Sequence, residues 1–285
     1  MLPWPVTVGG RDVTQCWYTD AERDTMKSPR REVRFDVISL LLIIFGVGLI
    51  AFLAGRQQIS RQLQPYVAES ATELRLLEDA YGPSRNSEHG EEWIVRDFFK
   101  GKRDGIFIDI GANDYRRFSN TYYLETELGW SGVAIEPQTK FAEDYARFRP
   151  RTTFVPLFVS NVSNQEAVLF VPSNDLVASS SREFAEQRGG GAPEMQRALT
   201  TTLDDILTRL ELTRIDFLTM DIELAEPDAL AGFTIQRFKP ALVCIEAHLP
   251  IRNQILEYFA RNAYVLAGQY LRADSHNLWF VPLSS

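Results

Sequence analysis

From residue 100 onward, short apolar runs alternate with stretches whose apolar residues recur at helical spacing. That alternation predicts a mostly parallel sheet covered by helices on both faces. Ile106–Ile110, Gly132–Ile135, Phe154–Val159, Ala167–Val171, Ile215–Met220, Leu242–Ile245 and Leu278–Val281 read as strands. Ala167–Val171 is expected to pair as a hairpin with the run before it. Thr121–Leu128, Phe141–Phe148, Leu203–Leu210 and Ile251–Asn262 read as helices, and Glu91–Lys100 as a shorter one ahead of the first strand. The segment Ser179–Ala198, with Gly189, Gly190 and Gly191, is polar and reads as a loop over a site.

Upstream the pattern changes. Val37–Gly55 carries no charge. As a helix rising about 1.5 Å per residue, it nearly spans the roughly 30 Å hydrocarbon core of a bilayer. It is expected to be an uncleaved, single-pass transmembrane anchor; Ala51-Phe52-Leu53-Ala54 lacks the small residue at the middle spacing of an A-x-A cleavage site. The chain therefore divides into an N-terminal segment (1–36), the anchor (37–55), a helical stalk or linker (56–89) and a catalytic-type α/β domain (90–285). Basic residues crowd the N-terminal flank (Arg23, Lys27, Arg30, Arg31, Arg34), which favours a cytoplasmic N-terminus.

Composition is that of a globular chain, with 45% hydrophobic and 24% charged residues. A net charge of −8 argues against nucleic acid as a partner, since phosphate neutralisation needs clustered Lys and Arg. Two cysteines, Cys16 and Cys244, supply neither a disulfide framework nor a zinc site, and the sequence designates no metal ligand.

Candidate chemistry lies at the strand ends. In open α/β sheets, ligands bind beyond the carboxyl ends of the strands. Three apolar strands here end in carboxylates: Glu136, Asp221 and Glu246. The turn after the first strand, Gly111-Ala112-Asn113-Asp114-Tyr115, lacks the G-x-G-x-x-G that cradles a pyrophosphate. A sulfonium nucleoside carries no phosphate; it needs a glycine for close approach, a carboxylate near its amino-acid end and an acid for its ribose. Asp109, Gly111 and Glu136 are placed to supply these. His248, just past a strand end, is a candidate general base, with Asp221 the alternative.

These residues also carry a resemblance. Phe107–Asp114, Ser119–Tyr122, Gly129–Pro137, Thr202–Asp205, Ile215–Glu223, Ala225-Glu226 and Asp274–Leu278 resemble, in order, the motifs of the FkbM family of methyltransferases, over roughly residues 90–282. The resemblance implies a Rossmann-like class I methyltransferase fold. It also implies S-adenosylmethionine as cofactor and transfer of its methyl group to a hydroxyl of a small molecule or saccharide. By position it implies that Asp109, Gly111, Asn113 and Glu136 hold the cofactor, with Ser160 and Asn161 near its adenine. It places Asp221, Glu223 and Glu226 along the site. Tyr115 and Leu224 stand where the family usually has glycine. Those two departures support a second reading, a membrane-tethered binding or trafficking module that keeps the fold without the chemistry. The charge bias places the domain away from the cytosol, where S-adenosylmethionine is kept, so the side of the membrane stays open.

Overall fold

The computed structural model describes residues 73–82 and 86–283. The expected anchor at 37–55 and the segment before it lie outside the described residues. Within them, no helix is long and apolar enough to cross a membrane. Of the expected stalk, residues 73–81 are helical (α1).

Chain order is then α2 (Glu91–Phe98), β1 (Ile106–Ile110), α3 (Tyr122–Thr126), β2 (Ser131–Ile135), α4 (Ala142–Phe148), β3 (Thr152–Val155), β4 (Phe158–Val159) and β5 (Glu166–Val171). It continues with α5 (Arg182–Gly189), β6 (Glu194–Thr201), α6 (Leu203–Arg209), β7 (Phe217–Met220), α7 (Glu226–Ala231), α8 (Ile235–Phe238), β8 (Leu242–Glu246), α9 (Arg252–Arg261), β9 (Tyr264–Leu266) and β10 (Asn277–Pro282).

Seven strands form one sheet in the order β3-β2-β1-β7-β8-β10-β9. The pairs from β3 to β8 are parallel, and β10 runs antiparallel between β8 and β9. Strand order reverses between β1 and β7, which makes the carboxyl ends of these two strands the switch point where a crevice opens. Both sheet faces are buried, as the near-continuous apolar strands require. In β1, Phe107 packs against Trp130, Phe217 and Trp279 on one face, while Ile108 and Ile110 join Val133, Leu218 and Val243 on the other.

Three expectations need correction. The run Phe154–Val159 is not one strand: Pro156 has no N–H for a ladder, and the chain divides into β3 and β4 around it. Consequently β5 does not form a hairpin with that run; it pairs antiparallel with β6, which also holds β4 in a second, three-stranded sheet. The segment read as a loop over 179–198 supplies α5 and most of β6. Its periodicity is faint because α5 buries just Ala185 and Gly189. The local signals were there: Ser181 caps α5 by accepting from the Phe184 N–H at 3.3 Å, and Gly190 ends it at φ +70°.

Candidate active site

A cavity of about 380 Å³ opens at the switch point, its floor made by the ends of β1, β2, β7 and β8. Gly111, Asn113, Glu136, Asp221, Glu223 and His248 all face it, as does Glu246. Asp109, Ser160, Asn161 and Glu226 do not.

Gly111 fixes the β1 edge. Its backbone is left-handed (φ +83°), and a Cβ at this position would stand 1.8 Å from the Asp221 carbonyl oxygen. Only glycine allows the turn to press against the end of β7. Asn113 follows, also left-handed at φ +45°, a conformation its short amide side chain tolerates. Its N–H donates to Glu136 Oε2 at 3.2 Å, and the Gln138 N–H donates to Glu136 Oε1 at 2.9 Å. Both oxygens of Glu136 thus have a backbone partner while the group still faces the cavity. Burial raises its carboxyl to about 7, against the pull of those two N–H donors.

Asp109 sits behind the cavity wall, fully enclosed. It accepts from Thr121 Oγ1 at 2.7 Å; Thr121 in turn accepts from Arg149 Nη2 at 3.1 Å, and Arg149 Nε pairs with Glu125 at 2.5 Å. Burial lifts Asp109 to about 6, opposed by the Thr121 hydroxyl and the Arg149 charge. Its geometry is that of a brace for the β1 turn. Arg149 also donates from Nη1 to the Tyr115 carbonyl at 2.8 Å.

That brace settles where Tyr115 goes. Its ring stacks on Phe148, centroids 4.8 Å apart and planes 20° from parallel, and packs against the Ala112, Ala134, Phe141 and Tyr145 cluster. Leu224 does adopt the left-handed backbone that its family position favours for glycine, with φ +81°, yet its side chain packs against the main apolar core. Neither residue lines the cavity, so the two departures do not plug it.

Ser160 and Asn161, expected near the adenine, do not line the cavity. The Ser160 N–H bonds to the Thr201 carbonyl at 2.9 Å, and exposed Asn161 reaches Asp228 at 3.4 Å. Their neighbours Leu157, Phe158 and Val159 line the cavity.

On the β7–β8 side the residues are charged and crowded. Glu223 Oε2 lies 2.9 Å from His248 Nε2, and Glu246 Oε2 lies 3.0 Å from the same nitrogen. Asp221 is open to the cavity but hemmed in by protein on its other sides. That enclosure, then the Glu246 charge, pushes its carboxyl well above the usual range. Burial, then Asp221 and Glu226, lifts Glu223 to about 9; burial, then Glu223, lifts Glu246 to about 7. His248 moves down, through burial and then the Arg188 charge. Glu226 is completely buried under the cavity floor at the start of α7. Its Oε1 accepts from the Ile222 N–H at 2.9 Å, and burial raises it to about 7.

Sequence reading missed the roof. Asp175 bridges Lys140 at 2.5 Å and Arg117 at 3.8 Å, and its carbonyl accepts from Asn113 Nδ2 at 3.3 Å. Phe184 and Arg188 of α5 close the side near His248, with ring centroids 5.1 Å apart for Phe184 and His248. At the mouth, His89 and His276 stack at 3.7 Å. Residues this far apart in sequence leave no spacing signal.

A methyltransferase FkbM domain matches residues 109–266, more than half of the chain. The chain belongs to the FkbM family of methyltransferases. It is an enzyme of that class, with S-adenosylmethionine as methyl donor. No curated protein matches the sequence. Similar solved structures include a precorrin-6y C5,15-methyltransferase from Geobacter metallireducens (10% identity, TM-score 0.38, 66% of this chain and 79% of that one). A TehB-like SAM-dependent methyltransferase from Corynebacterium glutamicum has 14% identity and a TM-score of 0.40, over 77% of this chain and 99% of that one. An O-methyltransferase from Bacillus cereus in complex with SAH has 12% identity and a TM-score of 0.36, over 76% and 89%. The assignment of this FkbM methyltransferase rests on the family match and on none of these three. The cavity fits the donor: the Gly111 turn leaves a close-approach surface that a Cβ would abolish, and Glu136 offers a carboxylate already oriented by two N–H groups.

Proposed function

We propose that this FkbM methyltransferase O-methylates a hydroxyl of a small molecule or saccharide while anchored to a membrane by residues 37–55. The observation that carries the reading is the division of one cavity into two chemically distinct walls. The β1–β2 wall is a backbone cradle with one prearranged acid; the β7–β8 wall is a group of ionisable side chains able to handle a proton.

On the first wall, Gly111 and Asn113 would lie against the donor and Glu136 would accept from its ribose hydroxyls. When bound, S-adenosylmethionine supplies a methyl group on a sulfonium, a carbon that is already electrophilic. Alignment is then the protein's main task, because in-line displacement depends steeply on the approach of the acceptor oxygen. Asp109 acts at one remove, holding the β1 turn through Thr121 and Arg149. On the second wall, His248 and Asp221 are the two groups facing the cavity from which a proton acceptor for the hydroxyl is drawn. Phe184 and Arg188 cover that wall and limit water. The cofactor supply requires that the domain face the compartment holding S-adenosylmethionine.

The test uses the full-length protein and methyl-labelled S-adenosylmethionine with a panel of saccharides and small hydroxyl compounds. Label recovered as an O-methyl ether supports the reading; label recovered on nitrogen or carbon overturns it. For the anchor, reporter fusions at both ends should place them on opposite sides of a membrane. A chain recovered entirely free of membranes would remove that part of the proposal.

A further inference from the structure

Beneath the acceptor wall, more acid is gathered than the hydrogen bonds within it can satisfy. Ligand atoms of Glu223, Glu246 and His248 lie within 4.8 Å of one another, and those of Asp221, Glu226 and Glu246 do likewise. Among the described residues, no Lys or Arg forms an ion pair with Glu223 or Glu246; their partner is His248. A hydrogen-bonded acid–imidazole pair accounts for Glu223 and His248. That pair leaves Glu246 Oε2 competing for the same His248 nitrogen at 3.0 Å, with the Asp221 carboxyl as its other neighbour. It also leaves unexplained Glu226, whose side chain is completely enclosed and whose Oε2 has no partner although its carboxylate belongs to the cluster. Orphaned buried carboxylate oxygens are costly, and a bound cation is among the standard ways of satisfying them.

We infer that Glu223, Glu246 and His248 form a divalent-cation site in the cavity, with Asp221 and Glu226 as neighbouring acids. The donor distances accommodate an octahedral ion. Metal–ligand bonds of about 2.1 Å at right angles put adjacent donor atoms about 3.0 Å apart. The two donor pairs sharing His248 Nε2 stand at 2.9 and 3.0 Å. Two carboxylate oxygens and one imidazole nitrogen suit a Mn²⁺-class ion better than a thiolate-seeking one. Three protein ligands leave positions open toward the cavity, where the acceptor hydroxyl is expected. The inference therefore deepens the proposed function: it favours acceptors that chelate through neighbouring oxygens, as vicinal diols of saccharides do.

The test is a titration of the chelator-treated full-length protein with MnCl₂, following the electron paramagnetic resonance signal of free Mn²⁺. One tight site per chain is expected. Glu246→Gln should weaken it at least about 10-fold, the loss typical of damaging a metal's coordination sphere. Glu257→Gln, which alters an exposed acid on α9, should leave it unchanged. His248→Gln gives a second ligand variant should Glu246→Gln fail to fold by circular dichroism. No retained Mn²⁺ at millimolar metal, or equal weakening by Glu257→Gln, overturns the site. A parallel S-adenosylmethionine titration separates the two proposals. Mn²⁺ retention without cofactor binding would leave the cation site standing and sink the function; cofactor binding without Mn²⁺ would do the reverse.

Discussion

On the β1–β2 side of the cleft, Glu136 has both carboxylate oxygens bonded to backbone N–H groups. On the β7–β8 side, Glu223 and Glu246 crowd one His248 nitrogen, and Glu226 keeps a buried oxygen with no hydrogen-bond partner. Both walls sit at the carboxyl ends of neighbouring strands in one sheet, so topology does not explain the contrast. The difference lies in what each wall awaits. A backbone cradle is complete before its ligand arrives, which suits a donor common to every turnover. On the proposed function, the wall with unmet charge is finished by the acceptor that binds there. Crowded carboxylates with raised pKa values are a frequent mark of such functional surfaces.

The comparison can be broken most sharply at Gly111. Gly111→Val would drive a side chain into the Asp221 carbonyl from a left-handed backbone, so cofactor affinity should fall by about 100-fold or more. Calorimetry with S-adenosylmethionine reads this directly, and an affinity within a few-fold of wild type would remove the cradle from the account.

Next in size is Glu136→Gln. Losing a charged acceptor costs about 1.5–3 kcal/mol, so affinity should drop roughly 10- to 100-fold. The wild type should also bind more weakly as pH falls through about 7, where Glu136 gains a proton and stops accepting. Glu136→Gln should flatten that profile. The sign for folding is opposite. A carboxyl whose folded pKa is raised stabilises the fold at low pH, and that contribution is lost as pH climbs through about 7.

Smaller again is Thr121→Val, which deletes the hydroxyl bridging Asp109 and Arg149 while keeping its shape. Leaving a buried carboxylate without that donor should destabilise the fold by about 1–3 kcal/mol. Urea unfolding measures it, and an unchanged midpoint would mean the brace bears no strain. The smallest effect belongs to Leu224→Gly. Since Leu224 packs into the core, S-adenosylmethionine affinity should stay within about twofold, far below the 1.4 kcal/mol of a tenfold change. A gain of tenfold would show that Leu224 obstructs the cavity after all.

These contrasts also mark what the chain's pattern could convey. Apolar runs ending in Glu136, Asp221 and Glu246 announced a parallel sheet and the place of its crevice, because strand burial and strand ends are both local properties. Gly111 was legible for the same reason. Ser160 and Asn161 were not, since their direction depends on how Pro156 divides a single apolar run into two strands of different sheets. Asp109 was named as a cofactor contact; it lies behind the cavity wall, bonded to Thr121, which Arg149 holds in turn. The α5 helix escaped because it turns mostly polar residues outward and buries little, so no stripe revealed it. The grouping of Glu223, Glu246 and His248 was hidden in plain view, as two strand ends whose adjacency only the sheet order establishes.

Calorimetric titration of the full-length protein with S-adenosylmethionine bears most directly on the cleft as a methyl-donor site. One binding event per chain, weakened about 100-fold or more in Gly111→Val and weaker at acidic pH, is the predicted result. A wild-type protein that gives no heat at millimolar cofactor, while remaining folded, would contradict it.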